Sequence, residues 1–202
     1  AITYPEIYEM QVEAIMEAAL ELAKTGKQVK PEIMIPLVAE EKELSYLKKM
    51  LEDKIQDIFE KHQLKIAYKI GAMLEIPRAC LTADQLATSA QFFSFGTNDL
   101  TQMTYGFSRD DSVKFLPDYV EKGILEDDPF QHLDQKGVGS LMKTAIELVK
   151  PQLKDISFGV CGEVGGDPDS VAFLQKIGLD YVSCSPYRVP AVLLTVAQMS
   201  IK

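Results

Sequence analysis

No stretch of this 202-residue sequence carries the roughly 20 consecutive apolar residues that a membrane-crossing helix needs. Its longest apolar runs, residues 33–39 and 190–197, fall far short, so no membrane partner is expected. The opening Ala-Ile-Thr-Tyr-Pro-Glu lacks both the basic start and the apolar core of a secretory signal. Positive charge is also scarce: 21 Lys and Arg stand against 30 Asp and Glu, a net charge of −9. A surface of that sign repels nucleic acid and anionic lipid, and leaves small ligands bridged by a cation as the natural class. The three cysteines, Cys80, Cys161 and Cys184, show neither CxxC spacing nor an even disulfide framework, which fits a reducing, cytoplasmic setting. The two histidines, His62 and His132, lie far apart in polar surroundings, and neither reads as a metal ligand or a base.

What the sequence does contain is an alternation of short β-rich runs with amphipathic helical runs. A leading helix over residues 5–24 repeats apolar positions every three to four residues, with Thr3 as a cap and Gly26 as a stop. Strands are expected at 32–38, 66–74, 92–96, 156–160 and 181–184. Helices are expected at 40–62, 82–89, 136–150, 167–177 and 189–201. Residues 101–135 are rich in Asp, Gly and Pro and read as a long excursion or lid, because periodic segments resume on both sides.

Five strands, each followed by a helix, imply parallel pairing through right-handed crossovers and an α/β class. An eight-unit barrel needs about 250 residues. The sequence therefore predicts a single domain over residues 1–202: an incomplete (β/α)8 TIM barrel of five βα units behind an orphan helix. A doubly wound open sheet is the alternative, but no GxGxxG follows any strand.

Three strands end in polar residues: Glu75, the run Gly96-Thr97-Asn98-Asp99, and Cys161-Gly162-Glu163. Ligands of parallel α/β folds sit at the carboxyl ends of strands, and neighbouring strands lie about 4.8 Å apart. Glu75 and Asp99 can therefore converge, and two carboxylates so close repel unless a cation or proton joins them. Mg2+ suits such a pair, since it takes one or two protein carboxylates and leaves its other positions to water and ligand oxygens. The competing use of Asp99 is to cap the helix that follows it. Gly96, Thr97 and Asn98 offer backbone N–H groups at a strand-to-helix turn, a setting for an anionic oxygen.

Cys161 has no histidine beside it, and Glu163, if near in space, would raise its pKa above the unperturbed value of about 8.5. A thiol that stays protonated at neutral pH suits a proton donor. Cys80 and Cys184 read as inert. Arg78 and Arg188 read as surface or packing residues, and Arg109 as paired with its neighbours Asp110 and Asp111.

The segments Leu74-Glu75-Ile76-Pro77-Arg78-Ala79, residues 92–102 and Phe158-Gly159-Val160-Cys161-Gly162-Glu163 resemble the signatures of the phosphoenolpyruvate-utilising enzymes over nearly the whole chain. That group includes dikinases, phosphoenolpyruvate synthase and enzyme I of the sugar phosphotransferase system. Residues 103–111 and 183–190 look most like the dikinase branch. The resemblance implies that Glu75 and Asp99 ligate Mg2+, and that Glu75, Gly96, Thr97, Asn98 and Asp99 line pyruvate or phosphoenolpyruvate. It implies that Cys161 exchanges a proton at the methyl carbon of the pyruvate enolate, which accepts a phosphoryl group from a phosphohistidine, with ATP and phosphate yielding AMP and pyrophosphate. It further implies nucleotide-binding and phosphohistidine domains elsewhere in a homodimeric parent, so that these residues alone are expected to be inactive. A non-catalytic binding or dimerisation module built on the same barrel is the reading from another class.

Overall fold

Parallel strands are held in one sequential sheet. The structure, a computed structural model, describes residues 1–201. After the leading helix α1 (Pro5–Lys24), the chain forms β1 (Glu32–Ile35), α2 (Glu41–His62) and β2 (Lys69–Leu74), then two short helices, α3 (Pro77–Leu81) and α4 (Ala83–Leu86). β3 (Phe92–Gly96) runs directly into α5 (Thr97–Tyr105), followed by α6 (Arg109–Ser112), α7 (Leu116–Glu121) and α8 (Val138–Val149). β4 (Ser157–Cys161), α9 (Pro168–Lys176), β5 (Tyr181–Val182) and α10 (Val189–Ser200) complete the order. Among the described residues no helix is long and apolar enough to cross a membrane.

The five strands pair in the order β1-β2-β3-β4-β5, all parallel. A doubly wound sheet reverses its strand order at a switch point; this sheet does not. Sequential order with right-handed crossovers puts every connecting helix on the same face, which is the construction of a barrel wall. The fold is thus α/β, an arc of five βα units of barrel type.

The two faces of the arc differ as that construction requires. One row of alternating positions, Ile33, Ile35, Ile70, Ala72, Leu74, Phe93, Phe95, Phe158 and Val160, joins the helices in one apolar core. Phe158 packs its ring against Phe93 and Phe95, with centroids 5.4 and 5.9 Å apart. The opposite row mixes bulky side chains with glycines. Phe92 lies where a Cβ on Gly71 would be, and the Tyr181 ring lies where a Cβ on Gly159 would be. Large and small residues so interleaved are the filling of a barrel interior.

Several boundaries depart from the sequence reading. β1 stops at Ile35 rather than residue 38, because Leu37 takes a left-handed conformation at φ 55. The helix expected at 82–89 is instead two short helices, the first opened by Pro77 at its first turn, a position whose missing N–H costs nothing. Tyr4, not Thr3, holds the cap position of α1, and no side chain caps it. Part of the excursion is regular: the second half of α5 and all of α6 and α7 lie inside it, with Tyr105, Phe107, Phe115 and Tyr119 packed in a local aromatic cluster.

Candidate functional site

Strand register decides what meets at the carboxyl rim of the sheet. Leu74 pairs with Phe95, so Glu75, one residue on, lies level with Gly96, and Gly96 pairs with Cys161. Glu75, Gly96 and Cys161 therefore form one row across three strands. One layer beneath, Met73 pairs with Ser94, Ser94 with Gly159 and Gly159 with Tyr181. Residues two apart on a strand share a face, so both rows open on the barrel interior.

Glu75 is only 4% exposed. Its Oε1 accepts a hydrogen bond of 2.7 Å from the backbone N–H of Leu37, which the left-handed turn after β1 aims at it. Gly96 makes room for the carboxylate: a Cβ there would lie 2.6 Å from Glu75 Oε2 and 2.6 Å from Met73 Sδ. Asp99 sits in the first turn of α5, whose cap position is held by Gly96, so Asp99 is not the cap of that helix. Burial, and the adjacent Asp99 carboxylate, push the Glu75 pKa up; the Leu37 N–H opposes this. Among the described residues no positive side chain contributes to that environment. Two neighbouring carboxylates, one buried, with no cationic partner make an arrangement that a divalent ion would stabilise. Among the described residues no three His, Cys, Asp or Glu converge on a point; the donor set is a carboxylate pair, which fits Mg2+ with its remaining positions open to water and ligand.

Thr97 is buried and donates from Oγ1 to the carbonyl of Cys161 at 3.1 Å, tying the start of α5 to the end of β4. Cys161 is half-buried, its Sγ 3.6 Å from the carbonyl of Phe95. Burial raises its pKa, the Ser94 hydroxyl works against that, and the Glu75 charge raises it further. The acid that acts on the thiol is thus Glu75, across one strand, and not the expected Glu163. At neutral pH the group is a thiol.

Ser94 and Tyr181 are residues that sequence reading missed. Because Gly159 has no side chain, the Tyr181 ring lies across β4 towards Ser94. Burial raises the Tyr181 pKa, and the Ser94 hydroxyl lowers it. Ser94 therefore stands between a phenol and the Cys161 thiol. A glycine inside a strand marks a close approach, and this was the available signal.

Arg109 does not pair with its neighbouring aspartates. Its Nη2 lies 2.6 Å from Glu163 Oε1, bridging α6 to the turn after β4, while Asp111 pairs with Lys114 at 2.7 Å. Arg78 donates to the Ala39 carbonyl at 2.6 Å and pairs with Glu40, and Arg188 donates to the Gly166 carbonyl at 3.3 Å. His62 and His132 lie beside Glu17 and Asp167, outside the rim. Burial pushes the Cys80 thiol up to about 12, consistent with an inert core residue.

A cleft of about 500 Å3 opens between the excursion and α9 and is lined by Tyr105, His132, Asp134 and Asp167. It does not include the carboxylate pair. A smaller cleft of about 290 Å3 lies at the rim itself, lined by Asn98, Gly162, Glu163, Cys184 and Arg188. Chemistry follows the strand ends and not the larger volume.

Residues 1–201 match the family described as PEP-utilising enzyme, PEP-binding domain. The chain is 52% identical over 198 residues to pyruvate, phosphate dikinase 2 of Oryza sativa subsp. japonica, covering 98% of this chain and 22% of that protein. It is 52% identical over 202 residues to pyruvate, phosphate dikinase of Clostridium symbiosum, covering 100% of this chain and 23% of that protein. The chain therefore spans 22–23% of the length of these relatives. Among solved structures, a citrate lyase from Burkholderia xenovorans LB400 shares the fold with a TM-score of 0.60 at 17% identity, over 93% of this chain and 53% of that one.

Proposed function

Because this chain belongs to the PEP-utilising enzyme family, spanning its PEP-binding domain, we propose that its strand-end rim binds pyruvate and phosphoenolpyruvate and handles the enolate between them. The relatives are named pyruvate, phosphate dikinases; in the parent reaction proposed here, pyruvate, ATP and phosphate would be converted to phosphoenolpyruvate, AMP and pyrophosphate through a phosphohistidine carried outside these residues. The observation that carries the reading is the buried Glu75 carboxylate, crowded by Asp99 without a cation and level with the Cys161 thiol across one intervening strand.

Glu75 and Asp99 would hold Mg2+, which supplies, when bound, a Lewis acid for the negative charge on the enolate oxygen. Glu75 serves this role because Leu37 and Gly96 fix its carboxylate in place. The backbone N–H groups of Thr97 and Asn98, at the start of α5, face an anionic ligand as unpaired helix-terminal donors do. Cys161 gives its S–H proton to the methylene carbon of the enolate, forming the methyl group of pyruvate; in the opposite direction its thiolate removes that proton. Its raised pKa favours the protonated form that begins the first of these steps. Ser94 and Tyr181, behind the thiol, provide hydroxyls through which the proton can be replaced. Localisation in the cytoplasm and a homodimeric parent belong to the same proposal.

Titration of the chain with Mn2+, followed by water-proton relaxation, tests the reading. Oxalate, a planar mimic of the enolate, should tighten Mn2+ binding and be tightened by it, since linkage is reciprocal. Absence of Mn2+ binding with oxalate present would instead support a non-catalytic module built on this barrel.

A further inference from the structure

The segments that follow β4 and β5 lie against each other through a pair of glycines. Gly165 and Gly166 end the short turn after β4, and both are buried. A Cβ on Gly165 would lie 2.6 Å from the Ser183 carbonyl oxygen, and the Cδ of Arg188 lies where a Cβ on Gly166 would be. A side chain at either position would force the two segments apart. Glycine at both lets the segment after β5 close over the turn after β4.

That contact fixes the Arg188 side chain. Its backbone N–H donates to the Ser185 carbonyl at 2.9 Å, curling residues 185–188 into a tight turn. Its aliphatic stem crosses Gly166, and Nη1 donates to the Gly166 carbonyl at 3.3 Å. Arg78 and Arg109 are neutralised by Glu40 and Glu163, at 2.8 and 2.6 Å. Among the described residues no carboxylate pairs with Arg188. A guanidinium carries several N–H donors in a planar fork, and a single carbonyl leaves most of them free. Arg188 lines the rim cleft of about 290 Å3 together with Asn98, Glu163 and Ser185. The one carboxylate there, Glu163, is already held by Arg109, and neither Glu75 nor Asp99 lines this space.

We infer that this cleft is an anion site, separate from the carboxylate pair, in which Arg188 takes a phosphate group. Barrels of this class frequently hold phosphate between the loops after their last two strands, and β4 and β5 are the last two of this sheet. The guanidinium fork matches two phosphate oxygens with parallel N–H donors. The Ser185 hydroxyl and the Asn98 amide border the same space and supply neutral polar groups for the others. The phosphate is either free or the phosphoryl end of a larger molecule at the rim. The inference uses neither Glu75 nor Asp99, so it stands or falls apart from the metal site.

Phosphorus NMR of inorganic phosphate, titrated with the metal-free chain, tests it. Binding should broaden the phosphate line. Arg188→Met, which keeps the stem over Gly166 and removes the charge, should weaken binding by at least about tenfold, the scale of one charge-assisted hydrogen bond. Gly166→Ala keeps the charge and places a Cβ where Arg188 Cδ lies, so it should weaken phosphate as much. No broadening by the unsubstituted chain, or full affinity in either variant, would overturn the inference. Competition then identifies the source. Displacement of bound phosphate by phosphoenolpyruvate in the presence of Mn2+ would mark the site as the phosphoryl end of a rim ligand; retention would mark a site for free phosphate. Displacement by pyruvate, which carries no phosphate, would show that Arg188 takes a carboxylate and would overturn the phosphate assignment. Because the first titration contains no metal, failure of Mn2+ binding leaves its result intact, and failure of phosphate binding leaves the metal site standing.

Discussion

Glu75→Gln and Asp99→Asn should each weaken Mn2+ or Mg2+ binding by at least about a hundredfold, since substitution of mere outer-shell partners already costs about 10–100-fold. The argument rests on the small size of the donor set. With only two carboxylates, and no group of three His, Cys, Asp or Glu placed to hold a metal among the described residues, removal of one halves the charge that offsets the dehydration of a divalent ion. The same variants should not unfold the protein. Ionised Glu75 is disfavoured where it sits, by burial first and then by Asp99. The native state therefore binds this proton more readily than the unfolded chain, and metal-free stability falls as pH rises through the interval above the ordinary glutamate pKa. Glu75→Gln removes that loss, so at neutral pH and without metal it should resist urea at least as well as the unsubstituted chain. A variant that loses the metal and also unfolds would show that the carboxylate was structural.

Cys161→Ala should slow exchange of pyruvate methyl protons with solvent by about 10²–10⁴-fold, the contribution of a positioned acid or base. The measurement belongs in a full-length dikinase carrying these residues, followed by loss of the methyl proton signal in deuterated buffer. Phosphorylation of the carrier histidine by ATP and phosphate should continue, because it uses no atom of this rim. Binding of Mn2+ and oxalate should also survive, since Cys161 reaches the carboxylates only through space and not as a ligand. Tyr181→Phe and Ser94→Ala would give smaller losses, as groups behind the thiol. Unchanged methyl exchange in Cys161→Ala would assign the proton to another group.

The framework of this fold is legible in the sequence because buried strands and amphipathic helices impose different apolar periods. The run Phe92-Phe93-Ser94-Phe95-Gly96 is buried throughout, as a strand covered on both faces must be. What the sequence could not show was register. That Glu75 shares a level with Gly96 and Cys161 follows from strand pairing, and the role of Leu37 follows from a left-handed turn that leucine seldom adopts. The Arg109–Glu163 pair joins residues 54 positions apart. Local charge pattern pointed Arg109 at Asp110 and Asp111, because nothing in the sequence says where an excursion folds back. By contrast, Gly71 and Gly159 were readable signs of crowding inside strands. Read that way, the second would have led to Tyr181 and Ser94.

A crystal of the chain grown with Mn2+ and oxalate, with data collected for the anomalous signal of manganese, tests the arrangement most directly. One peak is expected within coordination distance of both the Glu75 and Asp99 carboxylates, with oxalate spanning from it towards Cys161 Sγ. Manganese bound at any other place, or oxalate seated with Cys161 on the far side of the sheet from it, would contradict the account.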